Sequence, residues 1–311
     1  MFMCLQILIF FCAIASVFLG GSANAQHMGT SPKTNAMGHT ERSANSPAPP
    51  QGSDLPGIKT NVLDNIKVPK TEFTDLRLDR DDRILDIIDP LTLRAEQSGI
   101  LHLIGLDIPD YNPYQQGPIA QSAAAILRDM LLGKSVHLYQ TTDRQTGRKD
   151  RMNQSLYHLV IKDSASWVQG VMVRLGLARV RTEPSNPEMA RELYALEAEA
   201  RTQKLGLWAF DQYAVLSPEQ TPEHLNSFAI VEGKVMSAAR KQNNIYLNFG
   251  ADWRNDFIVQ IKPIHSRTFN AAGMNPLDLN GKTIRVRGWL QSYNGPYIEI
   301  DHPERIEIIS P

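Results

Sequence analysis

Thiols are almost missing from this 311-residue chain. Its two cysteines, Cys4 and Cys12, both lie near the start, which excludes a disulfide framework or a thiolate metal centre for everything downstream. An excess of one charge is missing too. The 32 Lys and Arg face 33 Asp and Glu, for a formal net charge of -1. The broad positive field of a dedicated nucleic-acid binder is therefore absent, and any affinity for polyanions must come from a local cluster. Long apolar runs are also scarce: only Cys4 to Gly21 qualifies, ending in Ala23-Asn24-Ala25 before Gln26. That small-x-small ending reads as an export signal over residues 1–25, which would make the mature chain periplasmic or secreted. No Lys or Arg precedes the run, and its length is marginal for a bilayer, so an uncleaved anchor stays open as a second reading.

What is present reads as a core-forming chain, with 42% hydrophobic and 21% charged residues. Residues 26–70 are rich in Ser, Pro, Asn and Gly, and are expected to form a disordered spacer. Its histidines, His27 and His39, are far apart and read as solvated rather than metal-binding. From residue 71 the pattern changes. Ile84 to Arg94 and Gly99 to Leu106 read as β segments, and Gly117-Pro118 opens a helix. Ile119, Ala123, Ile126, Leu127, Met130 and Leu131 recur on one face of it, up to Gly133. Val136 to Gln140 and Leu156 to Ile161 read as strands around the polar loop Thr141 to Gln154. A second helix is predicted over Trp167 to Leu175 with Ser166 as its cap. A third is predicted from Ser185, whose spacing to Glu188 is that of a capping box.

Five strands with a helix between the third and fourth describe an OB barrel over residues 71–212. A linker over 213–226, around Pro218 and Pro222, then leads to a second unit over 227–311. Five short strands are predicted there: Ala229 to Ser237, Ile245 to Phe249, Phe257 to Ile261, Thr283 to Trp289 and Tyr297 to Ile300. Arg267 to Ala272 reads as a short helix and Asn294-Gly295 as a tight hairpin turn. The expected class is mainly β with α (α+β), an OB barrel with helices followed by a smaller OB-like barrel.

Three blocks carry a family resemblance: Leu101 to Asp110, Gly117 to Gly133, and Val168 to Val180 continuing to Leu196-Glu197-Ala198 and Leu205-Gly206-Leu207-Trp208. Over about residues 80 to 210 the chain resembles the staphylococcal nuclease (thermonuclease) family. Gly250 to Arg254 and Val286 to Leu290 look like a module that some bacterial members append. The resemblance implies calcium-assisted hydrolysis of phosphodiesters. Such chemistry needs clustered carboxylates for a hard cation, a carboxylate beside the attacking water, and two guanidinium groups on the phosphoryl oxygens.

Matched to the family's motifs, the chemistry is largely substituted. Asp89-Pro90-Leu91-Thr92 stands for Asp-Gly-Asp-Thr, so a ligand aspartate has become Leu91 and Asp89 remains as a weak candidate ligand. Asp107 keeps the other metal-ligand position, Ile108 replaces a threonine, and Asp110 takes the place of the catalytic glutamate. His102 and Gln154 occupy the positions of the two arginines, and Asp107 and Asp110 flank Pro109, where aspartate also serves turns. Arg148, Lys149 and Arg151 form a loop cluster that could meet phosphate. A protonated His102, below its ordinary pKa of about 6.5, would restore one positive charge.

Each lost oxyanion donor costs roughly 2.7–4 kcal/mol of transition-state stabilisation. The expectation is an exported nuclease homologue with a degenerate site. It would be weak or inactive in hydrolysis, hold Ca2+ weakly or not at all, and act by binding single-stranded nucleic acid, an envelope protein or a glycan. The alternative is an active metal-assisted phosphodiesterase with a rearranged site using His102 and Asp110.

Overall fold

A computed structural model describes Leu55 and residues 71–252 and 255–310. The leader, the spacer histidines, Trp253 and Arg254 lie outside the described residues. In chain order the first half holds β1 (Leu76–Ile87), β2 (Thr92–Ala95), β3 (Gly99–Leu103), β4 (Leu106–Asp107), α1 (Pro118–Leu131), β5 (Ser135–Thr141), β6 (Ser155–Ile161), α2 (Val168–Arg174), β7 (Arg179–Val180) and α3 (Ala190–Thr202). A closed barrel runs β1-β2-β3-β6-β5. The long strand β1 closes it, pairing through residues 76–83 with β5 and through residues 84–87 with β2. The barrel strands β3 and β6 run parallel, and α1 precedes β5 in the chain, after the third barrel strand.

Two local expectations need correction. Ile84 to Arg94 is a hairpin rather than one strand. Asp89 accepts the backbone N–H of Leu91 at 2.8 Å, and Pro90, with no donor, sits at the bend. Ser185 does not cap the third helix. Glu183 and Asn186 form an isolated bridge there, the Glu188 carboxylate accepts the Thr141 hydroxyl, and α3 begins after Met189, which sits at φ 64°. A tertiary partner, Thr141, takes Glu188, while Ser185 bonds its neighbour Asn186 in the local bridge.

The second half holds β8 (Ser227–Lys234), β9 (Ser237–Lys241), β10 (Asn244–Asn248), β11 (Ile258–Ile261), α4 (Ser266–Ala271), β12 (Thr283–Ser292), β13 (Pro296–Glu299) and β14 (Ile306–Ser310). Its ladder runs β9-β10-β11-β13-β12, and β12 pairs β8. Since β8 and β9 are two arms of one run bent at Val235-Met236, the pairing returns to the run on which it began. The parallel pair again joins third and fifth members, β11 and β13. This is the ring order of the first barrel, with α4 where α1 stands. The added strand β14 lies beside the first half of β12. Asn294 and Gly295 both have positive φ, the conformation of a tight hairpin turn. The stretch between the halves is not extended: it folds as a 3-10 helix over Pro218–His224, with Ser217 and Gln220 forming a capping box.

Each half has its own apolar core, and Ile230 of β8 joins the first one. Between them lies an ionic contact. Arg287 of β12, only 1% exposed, donates to both oxygens of the fully buried Glu197 of α3 at 3.1 Å and to Val180 O at 3.1 Å. Its guanidinium also reaches Glu307 and lies 4.1 Å over the Tyr194 ring. Nearby, Thr182 Oγ1 and His302 Nε2 are 2.7 Å apart, both buried. Among the described residues no helix is long and apolar enough to cross a membrane.

The barrel wall also predicts acid sensitivity. His158 of β6 is buried, and its Nδ1 accepts the indole N–H of Trp167 at 3.3 Å, which requires an unprotonated nitrogen. Burial pushes its pKa down to about 3. Between about pH 6.5 and about pH 3 the unfolded chain binds this proton and the folded one does not, so stability falls as the pH is lowered, on the order of 1 kcal/mol per unit. Denaturation midpoints measured across that window should show a shallower slope for His158→Gln, and an unchanged slope would contradict the assignment.

Candidate nucleic-acid interface at the barrel mouth

The positions that a nuclease would use converge at one end of the first barrel. Asp107 ends β4 and His102 lies on β3, where its Cα partners are Thr92 of β2 and Leu156 of β6. Gln154 sits just before β6 at the end of the turn that Asp150 organises. The Asp150 carboxylate accepts the N–H groups of both Met152 and Gln154 at 2.8 Å. Asp89 faces the same space: its negative charge and that of Asp150 act on the half-buried His102. The Asp89 carboxylate also accepts the Tyr111 hydroxyl, whose pKa burial and Asp89 together push up to about 12, so Tyr111 stays a donor.

His102 answers the expectation of a protonatable substitute. Burial lowers its pKa below the ordinary value, Asp89 and Asp150 oppose this, and Arg181 adds to the lowering. At neutral pH the ring is therefore uncharged, 3.4 Å from the Thr92 hydroxyl, and the missing guanidinium is not replaced there.

Asp107 has a partner from outside the family's motifs. The short antiparallel pair β4–β7 sets Arg179 directly opposite it, and Arg179 Nε donates to Asp107 Oδ2 at 2.6 Å. Both side chains are largely buried, at 9% and 17% exposure. The same guanidinium donates to Phe228 O at 3.2 Å and lies 4.4 Å over the Phe228 ring. Arg181, two residues on and half exposed, comes within 4.0 Å of the other Asp107 oxygen and donates to Glu183 at 3.2 Å. The signal was in the sequence: Arg179-Val180-Arg181 places two arginines on one face of a strand around a buried valine. Their target was not, since Asp107 is 72 residues away from Arg179.

Asp110 is engaged by α1 instead. Its two oxygens accept the N–H groups of Ile119 and Ala120 at 2.8 Å, capping α1 from a distance. Gly117 is required here, since a Cβ on it would lie 2.2 Å from the Asp110 carboxylate. In the basic loop, Arg148 donates to Thr142 O at 3.2 Å and Lys149 to Asn153 Oδ1 at 2.9 Å, while Arg151 is exposed.

The donor set does not fit calcium. A hard cation of this kind takes six to eight oxygens, including several carboxylates. Asp107 offers one carboxylate already held by a guanidinium at 2.6 Å, Asp89 accepts the Leu91 N–H and the Tyr111 hydroxyl, Leu91 brings no side-chain oxygen, and Asp110 is committed to α1. Among the described residues no group of three or more His, Cys, Asp and Glu is placed to hold a metal ion. Arg181 keeps a half-exposed guanidinium beside an Asp107 whose charge Arg179 already compensates, and it also pairs with Glu183.

Residues 100–210 match the family model described as Staphylococcal nuclease homologue, a span from β3 through α3 to the turn that carries Trp208. No curated protein matches the chain. The closed five-stranded barrel, the helices around it and this match agree, and the chain thus carries a domain of the staphylococcal nuclease homologue family, followed by a second strand-rich module.

Proposed function

We propose that this protein binds single-stranded nucleic acid at the mouth of its nuclease barrel without calcium, and that hydrolysis there is weak or lost. A domain of this family supports a nuclease-like or nucleic-acid-binding role at the coarse level. The observation that carries the finer reading is the Arg179–Asp107 pair at 2.6 Å, which puts an internal cation where the family resemblance puts a metal ion. Arg181 then has a half-exposed guanidinium beside an already compensated carboxylate, suited to a phosphate oxygen. The apolar leader with its Ala23-Asn24-Ala25 ending supports action outside the cytoplasm.

A fluorescent oligothymidylate titrated with the protein tests this. Binding is expected to weaken steeply with salt. Arg181→Ala should weaken it about tenfold and lower the log–log salt slope by about one. Binding indifferent to both salt and Arg181 would contradict the reading. Arg181 also favours a second reading, a phosphodiesterase in which Arg181 stands in for a lost arginine. That reading requires cut product.

A further inference from the structure

The outward face of β12 has two environments along its length. Ile284, Val286 and Leu290 point into the second core, so Arg285, Arg287, Trp289 and Gln291 point the other way. Arg287 is sealed against α3 at 1% exposure, yet Trp289, one pleat further along the same face, is 54% exposed. Its Cα partner on β8 is Phe228, as Ile230 is the partner of Arg287. Directly paired residues on one face have Cβ atoms about 5 Å apart. Phe228 in turn carries the Arg179 guanidinium on its ring, and Arg179 holds Asp107. Phe228, Tyr213 and His224 also line a shallow recess with Arg179. Through Phe228 and Arg179 the strand position of the exposed indole is thus linked to Asp107 at the barrel mouth. Buried ionic groups two residues away fix its position.

We propose that the second module supplies one wall of the binding groove, with Trp289 stacking on a base of the single strand whose phosphates meet Arg181. A half-exposed tryptophan is costly to leave in water, and its flat ring, paired across the ladder with the Phe228 that carries Arg179, offers what single strands need beside cations for the backbone: a sequence-tolerant stacking face. Phe228 keeps Arg179 oriented, so the base and phosphate contacts share one rigid frame. This inference rests on the barrel mouth binding nucleic acid, and adds that the second module reads the base rather than the phosphate.

The full chain is titrated with oligothymidylate and with an abasic oligomer of equal length. Trp289→Ala is expected to weaken oligothymidylate binding about tenfold and to leave abasic binding unchanged, while Trp289→Phe keeps most of the affinity. Arg181→Ala should weaken both ligands alike. If Trp289→Ala binds oligothymidylate as tightly as the parent while Arg181→Ala does not, the stacking wall is refuted and the barrel-mouth reading stands. If the parent binds neither oligomer, both fall together. Equal loss on both oligomers with Trp289→Ala would also overturn the base-stacking role.

Discussion

Arg287→Ala is expected to remove about 3–5 kcal/mol of unfolding free energy, the usual cost of stranding a buried charge. Glu197 is fully buried, and burial alone would push its carboxyl pKa up; Arg287 first and Arg201 second hold it below the ordinary carboxylate range. Removing Arg287 leaves Arg201, 2.7 Å away, as the remaining cation, which places the expected loss toward the lower end. The same substitution frees the Val180 carbonyl and opens the contact between β12 and α3. Urea denaturation followed by far-UV circular dichroism gives the number. The combined Arg287→Met and Glu197→Gln variant should recover part of the loss. Two neutral side chains no longer conflict, and the new amide still offers an oxygen to the Val180 N–H that Glu197 accepts. A loss below about 1 kcal/mol for Arg287→Ala would show that the pair does not join the modules energetically.

Calcium is expected to do nothing. A ligand bound only by the folded state at a hundred times its dissociation constant adds about 2.7 kcal/mol, enough to move a melting curve by several degrees. Here the carboxylate that should lead such a site already accepts Arg179, and binding an ion would require breaking a largely buried charged hydrogen bond. Millimolar calcium should therefore leave the melting midpoint in place, and oligonucleotide affinity should be the same with calcium or with a chelator.

How much could be read beforehand differed by the distance over which residues act. The helix Pro118–Leu131 and the turn at Asn294-Gly295 followed from local chemistry, a proline at the first helical position and a pair that tolerates positive φ. The ring order of the second module was legible only as five short strands, since the bend at Val235-Met236 and the added strand β14 depend on partners far along the chain. The site followed the same rule. Leu91, His102 and Gln154 stood out as substitutions because they fall within local motifs. Arg179 did not, because its meaning comes from a two-residue strand pairing with β4. The engagement of Asp110 by two amide groups of α1 was equally illegible, since it joins residues nine and ten positions apart across a loop. Glu188 satisfied a capping pattern and was instead captured by Thr141.

The most direct measurement is cleavage. Purified protein is incubated with end-labelled single-stranded DNA, with calcium and with a chelator, alongside Asp107→Ala. The guanidinium-filled barrel mouth predicts intact oligonucleotide in every lane, with the strand still bound. Calcium-dependent product that disappears with Asp107→Ala would contradict it.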